Sequence, residues 1–198
     1  QRIHERISER DIKTEDQFVQ AKLYEVLGRT DNAIRLLDTV RRSVPDNATV
    51  YFELARLYYS KNDWIQSETN LSKAKNLQPE NSVFREFEVE YYLSQNREEE
   101  AIRTFESLIA LKPQDEHNYW QLIDILIQHK EYKRVLNVLG QMESNMGWSP
   151  RIQVKKAEIL VMNQKPDEAI SLLNDLNNRF PANTGYLKKI TGILHSNG

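Results

Sequence analysis

The chain has 198 residues, with 27 Lys and Arg against 29 Asp and Glu for a formal net charge of −2, 39% apolar residues, 6 Gly, 6 Pro and no Cys. The missing cysteine excludes disulfide scaffolds, thiol nucleophiles and Cys-ligated zinc or iron–sulfur sites. The near-neutral charge gives no bulk field for nucleic acid or an anionic membrane, and few Gly and Pro favour long helices over tight turns.

No apolar run reaches bilayer-spanning length, so the chain is expected not to be transmembrane. Gln1–Arg10 is polar and charged, and no signal peptide is read there. Without an initiator Met the chain is expected to be a processed product or an excised piece, and a removed signal stays open. In chain order, Ile3 and Ile7 lie four apart, as in a second helix of a pair. Periodicity and end signals then predict helices over roughly 14–27, 30–43, 47–60, 63–76, 81–94, 97–110, 115–128, 131–145, 150–162, 166–179 and 183–195. Asp46 or Asn47, Asn81 and Asp115 are the expected N-caps. Asn47-Ala48-Thr49 and Asn70-Leu71-Ser72 match the glycosylation pattern, which is too short to carry weight.

One period runs through these helices. Pro45, Pro79 and Pro113 are 34 residues apart, and Pro181 lies 68 further on, with Gly147 at the skipped position. Each terminator ends a helix at a fixed phase. Small residues recur at Ala33, Ser67, Ala101, Val135 and Ala169, and again at Ala21, Ala55, Val89, Ile123 and Ala157. Leu37, Leu71, Phe105, Leu139 and Leu173 follow the first set, then Val40, Ala74, Leu108, Met142 and Leu176. Spacings of three and four put these on one helix face, so each unit is two amphipathic helices meeting at small residues. The turn inside each unit is expected to have its left-handed residue at Gly28, Asn62, Asn96, Lys130 and Gln164. Gly and Asn tolerate positive φ better than Lys and Gln, so units four and five are expected to turn differently. Unit four also carries Ile123 and Val135 at the close approach, which predicts more widely spaced helices and a local change of curvature.

This arrangement resembles the tetratricopeptide repeat, with its aromatic, Leu, small, Tyr, Ala, Phe and Pro positions. Unit two matches best, with Tyr51, Leu54, Ala55, Tyr58, Ser67, Leu71, Ala74 and Pro79. The resemblance implies an all-α, right-handed α-solenoid of antiparallel helix pairs. Five units are expected at 14–47, 48–81, 82–115, 116–149 and 150–183. Residues 1–13 read as the end of a preceding repeat or an N-terminal capping helix. Residues 184–198 read as a C-terminal capping helix or the start of a further repeat. The Asn- and Lys-rich style resembles bacterial arrays, which implies the cytoplasm or, after signal removal, the periplasm or envelope.

The resemblance further implies that first helices line a concave, ligand-binding face. Its positions are Glu15, Phe18, Lys22 and Glu25, then Thr49, Phe52, Arg56 and Tyr59, then Val83, Glu86, Glu90 and Leu93. They continue with His117, Trp120, Asp124 and Ile127, then Arg151, Val154, Glu158 and Val161. Phe18, Phe52 and Trp120 share one position outside the repeat core and read as exposed anchors. The face sums to −3, and Glu86, Glu90 and Asp124 are expected to cluster beside Trp120 and receive Lys or Arg. The expected partner-binding residues are thus Phe18, Lys22, Phe52, Arg56, Tyr59, Glu86, Glu90, His117, Trp120, Asp124, Arg151 and Glu158.

A carboxylate clamp of the kind found in some family members needs Lys, Asn and Arg, and Phe18, Lys22, Glu53, Val83 and Phe87 do not supply that set. No phosphate loop, nucleophile motif or metal spacing occurs among His4, His117, His129, His195 and their neighbours, so no catalytic residue, metal or cofactor is expected. An acidic face and Glu98-Glu99-Glu100 oppose RNA reading. The expectation is a non-catalytic protein-interaction module that binds a peptide or helical segment of basic character, with no small-molecule substrate. The alternative is a structural segment of a larger scaffold or a self-associating assembly.

Overall fold

A computed structural model of the chain describes residues 15–182 and 184–197, and every described element is an α-helix. The elements are α1 (15–26), α2 (Thr30–Ser43), α3 (Ala48–Ser60), α4 (Trp64–Leu77), α5 (Ser82–Ser94), α6 (Glu98–Leu111), α7 (Glu116–Gln128), α8 (Tyr132–Met146), α9 (Pro150–Met162), α10 (Pro166–Arg179) and α11 (Thr184–Asn197). The expected boundaries hold to within a residue or two. The expectations for residues 1–13, including Ile3 and Ile7, lie outside the described residues. No described helix is long and apolar enough to cross a membrane.

Local chemistry explains the ends. Three first helices are capped by side chains, α9 with Ser149 being uncapped: Asn47 accepts from Thr49 and Val50 N–H, Asn81 from Val83 N–H, and Asp115 from His117 N–H. Each satisfies a donor that the first turn leaves open. Second helices mostly lack such caps, Asp63 excepted. Their starts are set by the preceding turn. Gly28, Asn62, Asn96, Lys130 and Gln164 all have positive φ, at 68°, 59°, 55°, 58° and 59°. Lys130 N–H donates to the Ile127 carbonyl and Glu131 N–H to that of Leu126, and Gln164 and Lys165 repeat the pattern. Units four and five therefore turn as the others do, against expectation. Packing of the two flanking helices outweighs the local cost of a left-handed Lys or Gln.

The chain forms two compact units, Gln1–Asn96 and Arg97–Gly198. In the first, α1 to α3 enclose Ala21, Ala33, Leu37, Val40, Val50, Leu54 and Leu57, all buried. A second cluster joins Ala55, Leu71 and Ala74 to Phe52, Phe84 and Phe87. α3 and α4 approach closely enough for Ser67 Oγ to donate to the Ala55 carbonyl at 2.9 Å. In the second unit, Ala157, Leu160, Ala169, Leu173, Leu176 and Ile190 join α9, α10 and α11. Ile123 and Val135 are both fully buried where α7 meets α8. Tyr119, buried on α7, donates to the Pro113 carbonyl at 3.2 Å and accepts from Asn145 Nδ2 at 2.7 Å, tying α7 to α8.

Ion pairs seal the contacts between a second helix and the next first helix. Lys75 of α4 pairs with Glu88 of α5. Two repeat lengths on, Glu143 of α8 pairs with Lys156 of α9, the same positions with the charges exchanged. One repeat length on from Lys75 and Glu88, the same two positions are Ile109 and Leu122, each about 1% exposed. The position accepts a matched pair of either kind, because both satisfy the rule that a buried charge needs a partner.

Candidate functional site

In the first unit, the expected site residues are mostly committed to one another. Glu53 on α3 is buried and accepts from Lys22 of α1 and from Arg56 at 2.9 Å. Lys22 and Arg56 each also reach Glu25 at 3.4 Å. Two cations and two carboxylates thus form one network, with the Lys22 and Arg56 side chains 38% and 40% exposed. Glu53 was not among the expected site residues, although it is what neutralises them.

Phe52 corrects the expectation of an exposed anchor: it is 8% exposed. Its ring centroid lies 4.7 Å from that of Phe84 and 5.5 Å from that of Phe87, both on α5. Tyr59 joins the same cluster, 5.3 Å from Phe87 and 5.5 Å from Trp64. The neighbouring first helix decides this outcome. α5 offers two aromatic rings, and burying aromatic surface against aromatic surface is favourable. Phe18 is half-buried against the α1–α3 core, with Lys22 Nζ 6.0 Å from its ring. Glu86 and Glu90 lie on the exposed face of α5 in this unit.

The second unit brings its expected residues together. Trp120 and Asp124 of α7 and Arg151 and Glu158 of α9 line one cavity of about 540 Å3, together with Pro150, Val154 and Lys155. Here the neighbouring helix offers a cation, and the Arg151 guanidinium lies 4.4 Å from the Trp120 ring centroid. Trp120 Nε1 is buried and finds no acceptor among the described residues, so stacking holds the indole. Arg151 also pairs with Glu116 at 3.2 Å. Glu158 pairs with Lys155 at 3.0 Å and with Lys189 of α11 at 2.6 Å. Burial pushes the Glu158 carboxyl up, but hydrogen bonds and charge from Lys189 and Lys155 outweigh it, and its pKa ends below the ordinary value. Asp124 is exposed in the cavity wall, which also carries the cations Arg151 and Lys155. His117 does not line the cavity. It stands exposed in the first turn of α7.

Residues 18–64 match the family profile of the tetratricopeptide repeat. The fold of MamA covers 87% of this chain and 94% of its own, with a TM-score of 0.58 and 16% identity. A tetratricopeptide repeat protein from Parabacteroides merdae covers 91% of this chain and 72% of its own, with a TM-score of 0.60 and 15% identity. The fold of the described residues is that of tetratricopeptide-repeat proteins. YrrB, described as a tetratricopeptide-repeat protein with an unusual peptide-binding site, covers 87% of this chain and 89% of its own, at a TM-score of 0.54 and 13% identity. No curated protein sequence is significantly similar to the chain. At these identities the structural similarities carry the fold alone.

Of the expected residues, Trp120, Asp124, Arg151 and Glu158 share one cavity. Lys22 and Arg56 share a network with Glu53. Phe52 and Tyr59 belong to packing. Lys189 and Lys155, which set the charge of Glu158, escaped sequence reading because they look like an ordinary solvated helix face. Placing Lys189 four repeat lengths after Glu53 would have marked it as the equivalent ion-pair position.

Proposed function

We propose that this chain is a non-catalytic interaction module that binds an extended or helical protein segment along its first helices, with α7 and α9 of the second unit as the principal seat. One observation carries the reading: Trp120, Asp124, Arg151 and Glu158 converge on a single open cavity of about 540 Å3. Its size suits side chains of a bound segment, and it mixes an aromatic face with a few polar groups, as recognition sites do. Asp124 there favours a segment carrying Lys or Arg. The test is to select twelve-residue peptides from a displayed random library on the full chain and titrate them against variants. Trp120→Ala is expected to weaken binding at least 10-fold. Asp124→Lys is expected to weaken basic peptides and to flatten their salt dependence. Unchanged affinity in both variants refutes the reading.

A scaffold or self-association role is the second reading, favoured by α1. Val19, Leu23, Val26 and Leu27 are 67%, 57%, 83% and 57% exposed and form one apolar stripe at helical spacing. The stripe position of Leu23 corresponds to Leu57 of α3, which is covered. Light scattering after size exclusion separates the readings. A dimer that Val26→Asp returns to monomer supports assembly, and a monomer at all concentrations removes it.

A further inference from the structure

The second unit contains a second opening, lined by Val154, Ala157, Val161, Met162, Leu173 and Gly192, with the Glu158–Lys189 pair at its rim. Its volume is about 300 Å3 and its walls are largely apolar. Ala157 and Leu173 form the buried floor, while Met162 stands half-exposed at the mouth.

The repeat supplies an internal comparison. Four repeat lengths upstream, in the first unit, the equivalent positions are Phe18, Ala21, Lys22, Glu25, Leu37 and Glu53, and they enclose no space for a water-sized sphere. Beside the exchange of Val26 for Met162 at the mouth, three exchanges open the space. Phe18 becomes the smaller Val154, and Glu25 becomes the apolar Val161. Arg56, which reaches over to Glu53 at 2.9 Å and Glu25 at 3.4 Å, becomes Gly192 and covers nothing. The ion pair itself survives with its charges exchanged, Lys22–Glu53 against Glu158–Lys189. The opening is therefore made by particular side-chain losses on a retained framework.

Gly192 has no packing reason to be glycine. It lies inside α11, where glycine weakens a helix. A Cβ built there meets nothing within 4 Å, and no positive φ requires glycine. The other first helices carry Lys22, Arg56, Glu90, Asp124 and Glu158 at this position. What the glycine does is leave the apolar floor open.

We infer that this slot is a specificity subsite that takes one large apolar side chain, Leu, Ile, Met or Phe, of a bound protein segment. The inference rests on the reading that first helices bind such a segment. An apolar wall selects an apolar side chain by excluding polar ones, which would lose their water without gaining partners. The Glu158 and Lys189 heads at the rim face the segment's backbone amides and carbonyls. The neighbouring Trp120–Asp124 cavity shares Val154 and Glu158 with the slot. Adjacent helix axes lie about 9 Å apart, roughly three residues of extended chain. The segment thus carries a Lys or Arg for Asp124 about three residues from its apolar anchor.

The experiment uses the selected twelve-residue peptides, synthesised and measured by fluorescence polarisation on the full chain. The expected peptides share one large apolar residue about three positions from a Lys or Arg. Changing that anchor to Ser weakens binding at least 10-fold on the wild-type chain. Gly192→Arg, which puts a long side chain over the slot, costs a similar factor, and on this variant the Ser peptide no longer differs from its parent. Gly192→Ala, whose single methyl meets nothing, retains most of the affinity, with circular dichroism showing both variants helical. Peptides that bind Gly192→Arg unchanged but lose affinity to Trp120→Ala overturn the slot and leave the groove reading standing. Peptides indifferent to both variants overturn the two together.

Discussion

Ile123→Ala tests how the repeat is spaced around the candidate site. Ile123 is 0% exposed and separates α7, which carries Trp120, from α8. The change removes three carbons, and at about 0.8 kcal/mol for each buried CH2 the transfer loss is about 2.4 kcal/mol. If α7 and α8 stay where they are, a residual cavity of about 50 Å3 adds about 1.2 kcal/mol, for a total near 3.6 kcal/mol. If the helices close over the vacated space, the loss stays near 2.4 kcal/mol. Equilibrium urea unfolding followed by helical signal reads the difference. A loss below about 1 kcal/mol would refute the claim that Ile123 is fully packed where α7 meets α8.

Three further outcomes follow from the ion pairs and turns. Lys75→Glu or Glu88→Lys alone is expected to cost about 2–3 kcal/mol, reduced from a fully buried pair because the Lys75 side chain is 23% exposed. The double reversal should recover most of that loss, since Glu143 and Lys156 already use the exchanged arrangement, and a double variant no better than the singles contradicts the equivalence. Gly28→Ala is expected to cost about 1 kcal/mol in urea unfolding, because φ is 68° and an alanine Cβ disfavours that region. Glu158, whose ordinary value is 4.5, has its folded pKa lowered, so the Lys155–Glu158–Lys189 cluster stabilises fully above about pH 4.5 and loses this contribution as pH falls through the lower folded value. Carboxyl-detected titration of Lys189→Met should show Glu158 moving back up, and no movement would remove Lys189 as a cause.

The fold was legible because the period is carried by residues with a single physical job. Ala21, Ala33, Leu37 and Val40 and their counterparts must be buried for helices to meet, and proline or Gly147 must stop a helix wherever it falls. The left-handed turns show the limit of local preference. Lys130 and Gln164 disfavour the conformation they adopt, and only the packing of complete helices enforces it. The site was less legible because a position on a first-helix face does not determine its neighbour. Phe18, Phe52 and Trp120 share one repeat position but meet a lysine, two phenylalanines and an arginine. The −3 charge sum was misleading for the same reason. Glu53 and Glu25 together offset Lys22 and Arg56, while Lys155 and Lys189 surround Glu158. Gly192 carried a readable signal, a glycine where the other first helices have charges, but its meaning needed the filled counterpart at Arg56.

The central claim is that α7, α9 and α11 of the second unit form the binding surface. Amide chemical-shift mapping of the labelled chain with a selected peptide tests it most directly. The account predicts shifts concentrated near Trp120, Asp124, Val154, Glu158 and Gly192, with the exposed faces of α8 and α10 unmoved. Shifts concentrated on α8 and α10, with these five positions silent, would contradict it.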